Sequence, residues 1–327
     1  MNNDIIIIKN EQRITNLFND KNFIRYFLDL KANKSKYTSK SYERDIKDFF
    51  KVEYVEDITI NHIRTVTIFD AQNYILELSS KKFSSATINR KISSLSALYK
   101  WLLKFQDNST KSELIKYNPF GNLKEEKPII NNKDTEFLTK EECKILLQSI
   151  DTANIIGIRN KAIMSLALTT ALRKSEIINI KLKDITTYGN YDVINITRKG
   201  NIKDMIKIQK GVLNLIRQYV EKSNRDFKKN WDEYLFLGHS KNSLKKEKLN
   251  PSSLNYIIKQ ICKNANINKD LKVHSTRHTA ITLAITEGAT IEKVREFAGH
   301  KNLATTNRYV HSIDKLKNNA GDIIDIL

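Results

Sequence analysis

Residues 274–309 read HSTRHTAITLAITEGATIEKVREFAGHKNLATTNRY, and the reading of this stretch decides the rest. Its apolar spacing predicts helices over about 275–287, 291–298 and 302–310, with Gly299 in the turn between the last two. Four of the six histidines, His274, His278, His300 and His311, lie in or beside it. Histidines four apart share a helix face, so His274 and His278 invite a metal reading. Two features count against that reading. The zinc-protease pattern needs Glu at the second position, where Ser275 stands, and Arg277 would sit beside any bound cation. His274 and Arg277, three apart on one face, suit an anionic oxygen better. Glu287 to Tyr309 also resembles a helix-turn-helix, which would make the chain a non-enzymatic DNA-binding regulator.

Working outward toward the amino terminus, the pattern stays mainly helical. Thr139 followed by Glu142 reads as a capped helix start, with helices to about Ile150, over 159–171, 211–223 and 252–265. Residues 191–197 and 202–208 alternate around the polar turn RKGN (198–201) and predict an antiparallel hairpin. Arg173 follows an apolar helix in TTALRKSE (169–176), and Glu176 is placed to buttress it. Lys199 falls at the hairpin tip, where a long side chain reaches a groove. Taken singly, Lys199 could be a solvated turn residue and Tyr309 a core aromatic.

In the amino half, helices are predicted over about 20–32, 38–52, 69–78 and 85–105, packed as one small bundle. Lys81, Lys82, Arg90, Lys91 and Lys100 decorate its latter part and are candidate phosphate contacts, though they equally suit a solvated face. Residues 119–136, polar and holding two of the three prolines, read as a linker between a domain over 20–118 and another over 137–327, with 1–19 a tail.

Composition agrees with two helical domains: 327 residues, with only 9 Gly and 3 Pro. Neither G-x-x-x-x-G-K nor G-x-G-x-x-G occurs, so phosphate would be held by side chains. The formal charge is +19, as 22 − 16 = +6 over residues 1–130 and 34 − 21 = +13 beyond, so both halves suit a polyanion such as nucleic acid. Two cysteines make no disulfide framework and match no zinc spacing. The apolar run Ile5–Ile8 falls far short of a signal peptide or a membrane span, so the expected setting is soluble and intracellular, with no membrane partner.

With these residues assembled, the chain resembles the tyrosine recombinase (phage integrase) family, its simple Xer-like members in particular. ATINRKISSLSALY (86–99) is similar to part of the family's helical, SAM-like core-binding domain. The resemblance implies an α+β catalytic domain with a small antiparallel sheet. Its catalytic set would be Arg173, Lys199, His274, Arg277, His300 and the nucleophile Tyr309, and the separations 300 − 277 = 23 and 309 − 300 = 9 agree with it. Ala171 replaces a usual Gly and Thr276 a usual apolar residue; neither removes a reacting group.

The resemblance further implies cleavage and rejoining of double-stranded DNA at an inverted-repeat core site by a homo-tetramer on two duplexes. It implies no metal, ATP or other cofactor, a cytoplasmic location, and a second recombinase or accessory protein as an open requirement. With only about 19 residues before the first helix, the role expected is resolution of chromosome or plasmid dimers. A mobile-element integrase or invertase is the alternative. The tail AGDIIDIL (320–327) would dock on a neighbouring protomer or pack on its own domain. A metal-dependent nuclease would need clustered carboxylates, and a type IB topoisomerase, which shares the chemistry, fits this short chain less well.

Overall fold

Asn22 starts the first helix: its side chain accepts a hydrogen bond from the Ile24 amide at 2.8 Å, and α1 (Phe23–Ala32) follows. In the computed structural model the described residues are 6–8, 14–15, 22–107, 113–130, 135–198, 200–239, 247–307 and 309. Lys199, His311 and the tail 320–327 lie outside them. The chain divides into two units, Met1–Lys133 and Asp134–Leu327.

The first unit continues through α2 (Lys36–Phe50), α3 (Ile60–Thr65), α4 (Ile68–Ser80) and α5 (Ser85–Leu102). Ser35, Thr59, Thr67 and Ser84 each cap the helix that follows with a side-chain oxygen. Their apolar faces close one core around Ile24, Phe27, Ile46, Ile92 and Leu98. Three expectations change here. Residues 6–8 (β1) and 14–15 (β2) are strands rather than tail, pairing with residues 105–107 (β3) in the order β2-β1-β3, all antiparallel. For the same reason α5 stops at Leu102 instead of running to 105. The linker also starts later than expected, because Phe120 and Leu123 are buried in this core, with the Phe120 ring 5.1 Å from Phe49 and 5.3 Å from Tyr99.

Lys91 is a further correction. It is 5% exposed, its ammonium 2.6 Å from Asp48 and 3.8 Å from the buried Asp45. A cation so neutralised inside the bundle is not available to a phosphate. Arg90 is also engaged, with its guanidinium on Asp45 and on Ser41, while Lys81, Lys82 and Lys100 are exposed.

The second unit is built on α7 (Ile155–Thr170), which is buried on nearly every side. Against it pack α6 (Lys140–Gln148), α9 (Lys210–Lys222) and α11 (Val273–Thr286). The short α8 (Lys174–Asn179) follows α7 directly, α10 (Pro251–Asn264) packs on α6, α8 and α11, and α12 (Ile291–Ala298) packs on α11. The hairpin is a three-stranded antiparallel sheet: β4 (Ile185–Tyr188), β5 (Tyr191–Arg198) and β6 (Ile202–Lys207), with Ile194 opposite Ile206 and Arg198 opposite Ile202. Residues 303–307 are helical. Among the described residues no helix is long and apolar enough to cross a membrane.

Candidate active site

The site begins where α7 ends. Ala171 takes a left-handed backbone (φ +50°), turning the chain so that Arg173 becomes the residue before α8. Glu176, one turn on, accepts from the Arg173 amide at 2.7 Å and from its guanidinium at 2.9 Å. The carboxylate therefore fixes both the backbone and the direction of the arginine. Arg173 then reaches the Gly299 carbonyl at 3.4 Å, and its side chain keeps 35% exposure.

Arg277 comes from α11 and is 3% exposed. Its two terminal nitrogens donate to the carbonyls of Ala171 and Ala298. Burial, then the charge of Arg173, pushes its guanidinium down to about 10, still cationic at neutral pH. Ala298 and Gly299 close α12, where the helix leaves its last carbonyls unpaired and negative. That end of α12 is the seat on which the arginines gather.

A third guanidinium sits there, and the sequence reading missed it. Arg198, at the end of β5 and 7% exposed, donates to Asp204, to the Ala298 carbonyl at 3.2 Å and to the Phe297 carbonyl at 3.5 Å. It also lies 3.9 Å from Glu176. Period-two alternation carried the signal: positions 194, 196 and 198 share the buried face of β5. Gly299 makes the approach possible, with φ +59° and no Cβ; an added Cβ would stand 2.3 Å from the Arg198 guanidinium carbon.

The histidines complete the site. His300 follows Gly299, and its Nδ1 lies 2.9 Å from the buried Thr306 hydroxyl. Burial, then Arg277, Arg173, Arg198 and His274, push its imidazole down to about 4, so it is neutral at pH 7. His274 is exposed by area, yet partial desolvation and the charges of Arg277 and Arg173 hold it below the usual imidazole value.

The Tyr309 ring lies between two imidazoles, 4.5 Å from His278 and 6.0 Å from His300, centre to centre. His278, which the metal reading had paired with His274, also stacks on Phe137 at 5.8 Å. Among the described residues, no three His, Cys, Asp or Glu side chains are grouped to hold a metal ion. Beside the arginines opens a cavity of about 430 Å³ lined by Arg173, Arg198, Asp204, His300 and Lys301.

Six of the sequence-predicted positions (Arg173, Glu176, His274, Arg277, His300 and Tyr309) thus fall in the second unit around the α7–α8 turn, α11 and the end of α12. Lys81, Lys82, Arg90, Lys91 and Lys100 belong to the first unit. Imidazoles and a tyrosine beside converging guanidiniums suit an anionic oxygen.

Comparison with known proteins agrees with that chemistry. The model of the Phage integrase family matches residues 136–315, and that of the phage integrase N-terminal SAM-like domain matches residues 23–106. The tyrosine recombinase XerC of Staphylococcus epidermidis is 32% identical over 292 residues, covering 88% of this chain and 90% of that protein. The XerC of Anoxybacillus flavithermus is 30% identical, covering 88% and 91%.

In fold, the chain is similar to the Tn1549 transposon integrase solved with transposon right-end DNA. The TM-score is 0.68 at 17% identity, with 88% and 92% of the chains covered. The XerH site-specific recombinase bound to palindromic difH substrate matches at TM-score 0.63 and 20% identity, covering 86% and 76%. The chain belongs to the phage integrase family: it is a tyrosine site-specific recombinase, an enzyme that cleaves and rejoins DNA strands.

Proposed function

We propose that Tyr309 is the nucleophile. Its phenol oxygen attacks the scissile phosphorus, the bond from phosphorus to the 5′ oxygen breaks, and a 3′-phosphotyrosine forms. His274, held neutral, takes the phenol proton; Lys199 gives a proton to the departing 5′ oxygen; His300 orients the phosphate or the phenol. Arg173 and Arg277 grip the nonbridging oxygens as charge builds on them, with Glu176 fixing Arg173. A 5′ hydroxyl from another strand reverses the step. Bond energy is conserved, so this scheme calls on no metal or ATP. The observation that carries it is the convergence of Arg173 and Arg277 on the turn that holds His300, with Tyr309 against the His300 ring.

The partner in this reading is double-stranded DNA with an inverted-repeat core site. A homo-tetramer works on two duplexes in the cytoplasm, with or without a second recombinase or accessory protein. Exposed Lys81, Lys82 and Lys100 contribute phosphate contacts from the first unit. The role is Xer-like resolution of chromosome or plasmid dimers, supported by relatives named XerC that align over about nine-tenths of their length. The test is covalent trapping on nicked duplex DNA carrying candidate sites. A wild-type adduct that survives SDS and is absent from Tyr309→Phe is expected. No wild-type adduct, or an adduct with Tyr309→Phe, refutes the assignment.

A further inference from the structure

The proposed acid, Lys199, stands between two described neighbours, and one of them is unusually constrained. Arg198 pairs across the sheet with Ile202, and between them Gly200 and Asn201 take left-handed backbones (φ +92° and +60°). Arg198 anchors the end of β5 beside that turn. Its guanidinium joins Asp204 of β6 on one side and the Ala298 and Phe297 carbonyls of α12 on the other. Asp204 lies diagonally across the ladder, opposite Ile196.

We propose that the Arg198–Asp204 pair is a positioning clamp that ties the β5–β6 hairpin, and the general acid it carries, to the end of α12 that precedes His300. The clamp rests on the reading of Lys199 as the proton donor to the 5′ oxygen. It spans elements far apart in sequence, joining residue 198 to residues 297 and 298. Gly299 reinforces it, because the guanidinium fills the space a Cβ would take. Arg198 need not touch the DNA: with its nitrogens committed to Asp204 and two carbonyls, its effect runs through the residue next to it. Lysine at 198 keeps the charge but cannot span both sides with one planar fork.

The experiment is single-turnover cleavage of nicked duplexes carrying either an ordinary 5′ oxygen or sulfur at that bridging position. A thiolate leaves without a proton, since a thiol ionises near roughly pH 8.5, far below an alcohol. On oxygen, Arg198→Lys and Asp204→Asn are expected to slow cleavage at least about 10-fold, within the range general acid catalysis supplies. On sulfur both should return to within about 3-fold of wild type, as should Lys199→Ala, while Arg173→Ala stays slow on both because it acts on the nonbridging oxygens.

Asp204→Asn guards against a folding artefact, since the Asp204 side chain is about one-third exposed and the change keeps its shape and removes only its charge. If Lys199→Ala is rescued by sulfur but the clamp variants are equally slow on both substrates, or lose nothing on oxygen, the clamp is refuted and the acid stands. If Lys199→Ala is not rescued, the acid assignment itself falls, and the clamp with it.

Discussion

Gly299→Ala tests the geometry of the site at one methyl group. The backbone there has φ +59°, which costs an L-residue about 1–2 kcal/mol. The new Cβ would also meet three Arg198 atoms, at 2.3 Å (Cζ), 2.4 Å (Nη1) and 2.5 Å (Nε). Carbon atoms rest at about 3.5–4.0 Å, so the guanidinium must retreat by more than 1 Å. It cannot do so and keep Asp204 and the α12 carbonyls. A hydrogen bond to a charged group contributes about 1.5–3 kcal/mol, so losing one and incurring the backbone strain gives roughly 2.5–5 kcal/mol.

That is a large share of a stability of about 5–15 kcal/mol. The assay is urea unfolding of the full chain, with hydrogen exchange assigning the loss to α12 and the hairpin. The double variant Gly299→Ala/Arg198→Ala removes the clashing group. It should be less destabilised than the two single variants summed, by about 1–3 kcal/mol, the coupling expected of residues in contact. Additive effects, or a Gly299→Ala protein within about 0.5 kcal/mol of wild type, would refute the claim that the guanidinium is held where the structure places it.

Three further outcomes are expected. Arg277→Lys retains a cation but cannot bridge the Ala171 and Ala298 carbonyls, so covalent-adduct formation should fall about 10²–10³-fold while DNA retention in gel shifts changes little. His300 is pushed down to about 4, below its unfolded value near 6.5; the stability from keeping it neutral is therefore complete above pH 6.5 and is lost as pH falls toward 4. His300→Gln should flatten the urea-stability profile in that window, and an unchanged profile would contradict the shift. Lys91→Met leaves Asp45 and Asp48 short of a cation and should cost the first unit at most about 3 kcal/mol, less than a fully buried pair because Asp48 meets water. Its salt dependence of DNA binding should match wild type, whereas Lys82→Ala and Lys100→Ala should each lower the slope by about 0.9.

What could be read from the chain follows the length and regularity of each signal. The long helices α1, α2, α5, α7, α9, α10 and α11 show apolar spacing over ten or more residues, and they lie within a few residues of their expected limits. Helices α3 and α8 are six residues each, too short for a period to register. Strands β1 and β3 are three-residue segments about a hundred positions apart, and only tertiary pairing makes them strands. Phe120 is hidden among polar residues, although its ring is fully buried.

Lys91 is the instructive error. It lies three after Ile88 and four before Leu95, so the spacing already placed it on the buried face, and charge was read in preference to position. At the site, His274 and Arg277 were legible because helix spacing brings them together. Arg198 was not, since its partners Asp204, Phe297 and Ala298 come from two other elements.

Among the described residues, cations taken out of water are satisfied in two ways, by carboxylates or by carbonyls. In the first unit the buried Lys91 faces Asp45 and Asp48, and the partly exposed Arg90 joins it on Asp45, so that charge is offset where it lies. In the second unit Arg277 is seated on carbonyls, which satisfy its N–H groups without cancelling its charge. Carbonyl seating is not by itself a mark of function: Arg159 holds the Leu237 carbonyl and Arg225 those of Tyr234 and Leu235, each closed off from water and pinning one loop. The α12 cluster differs because three guanidiniums converge and two of them, Arg173 and Arg198, line the cavity with His300 and Lys301. Glu176 and Asp204 face that charge from two sides, and burial first, then the neighbouring guanidiniums, depresses the His300 imidazole. Like charges packed so closely repel, and an anion entering the cavity relieves that repulsion. The fold has therefore met the cost of gathering the cations before the phosphate arrives, which is the condition for their charge to act on the transition state rather than on assembly of the site.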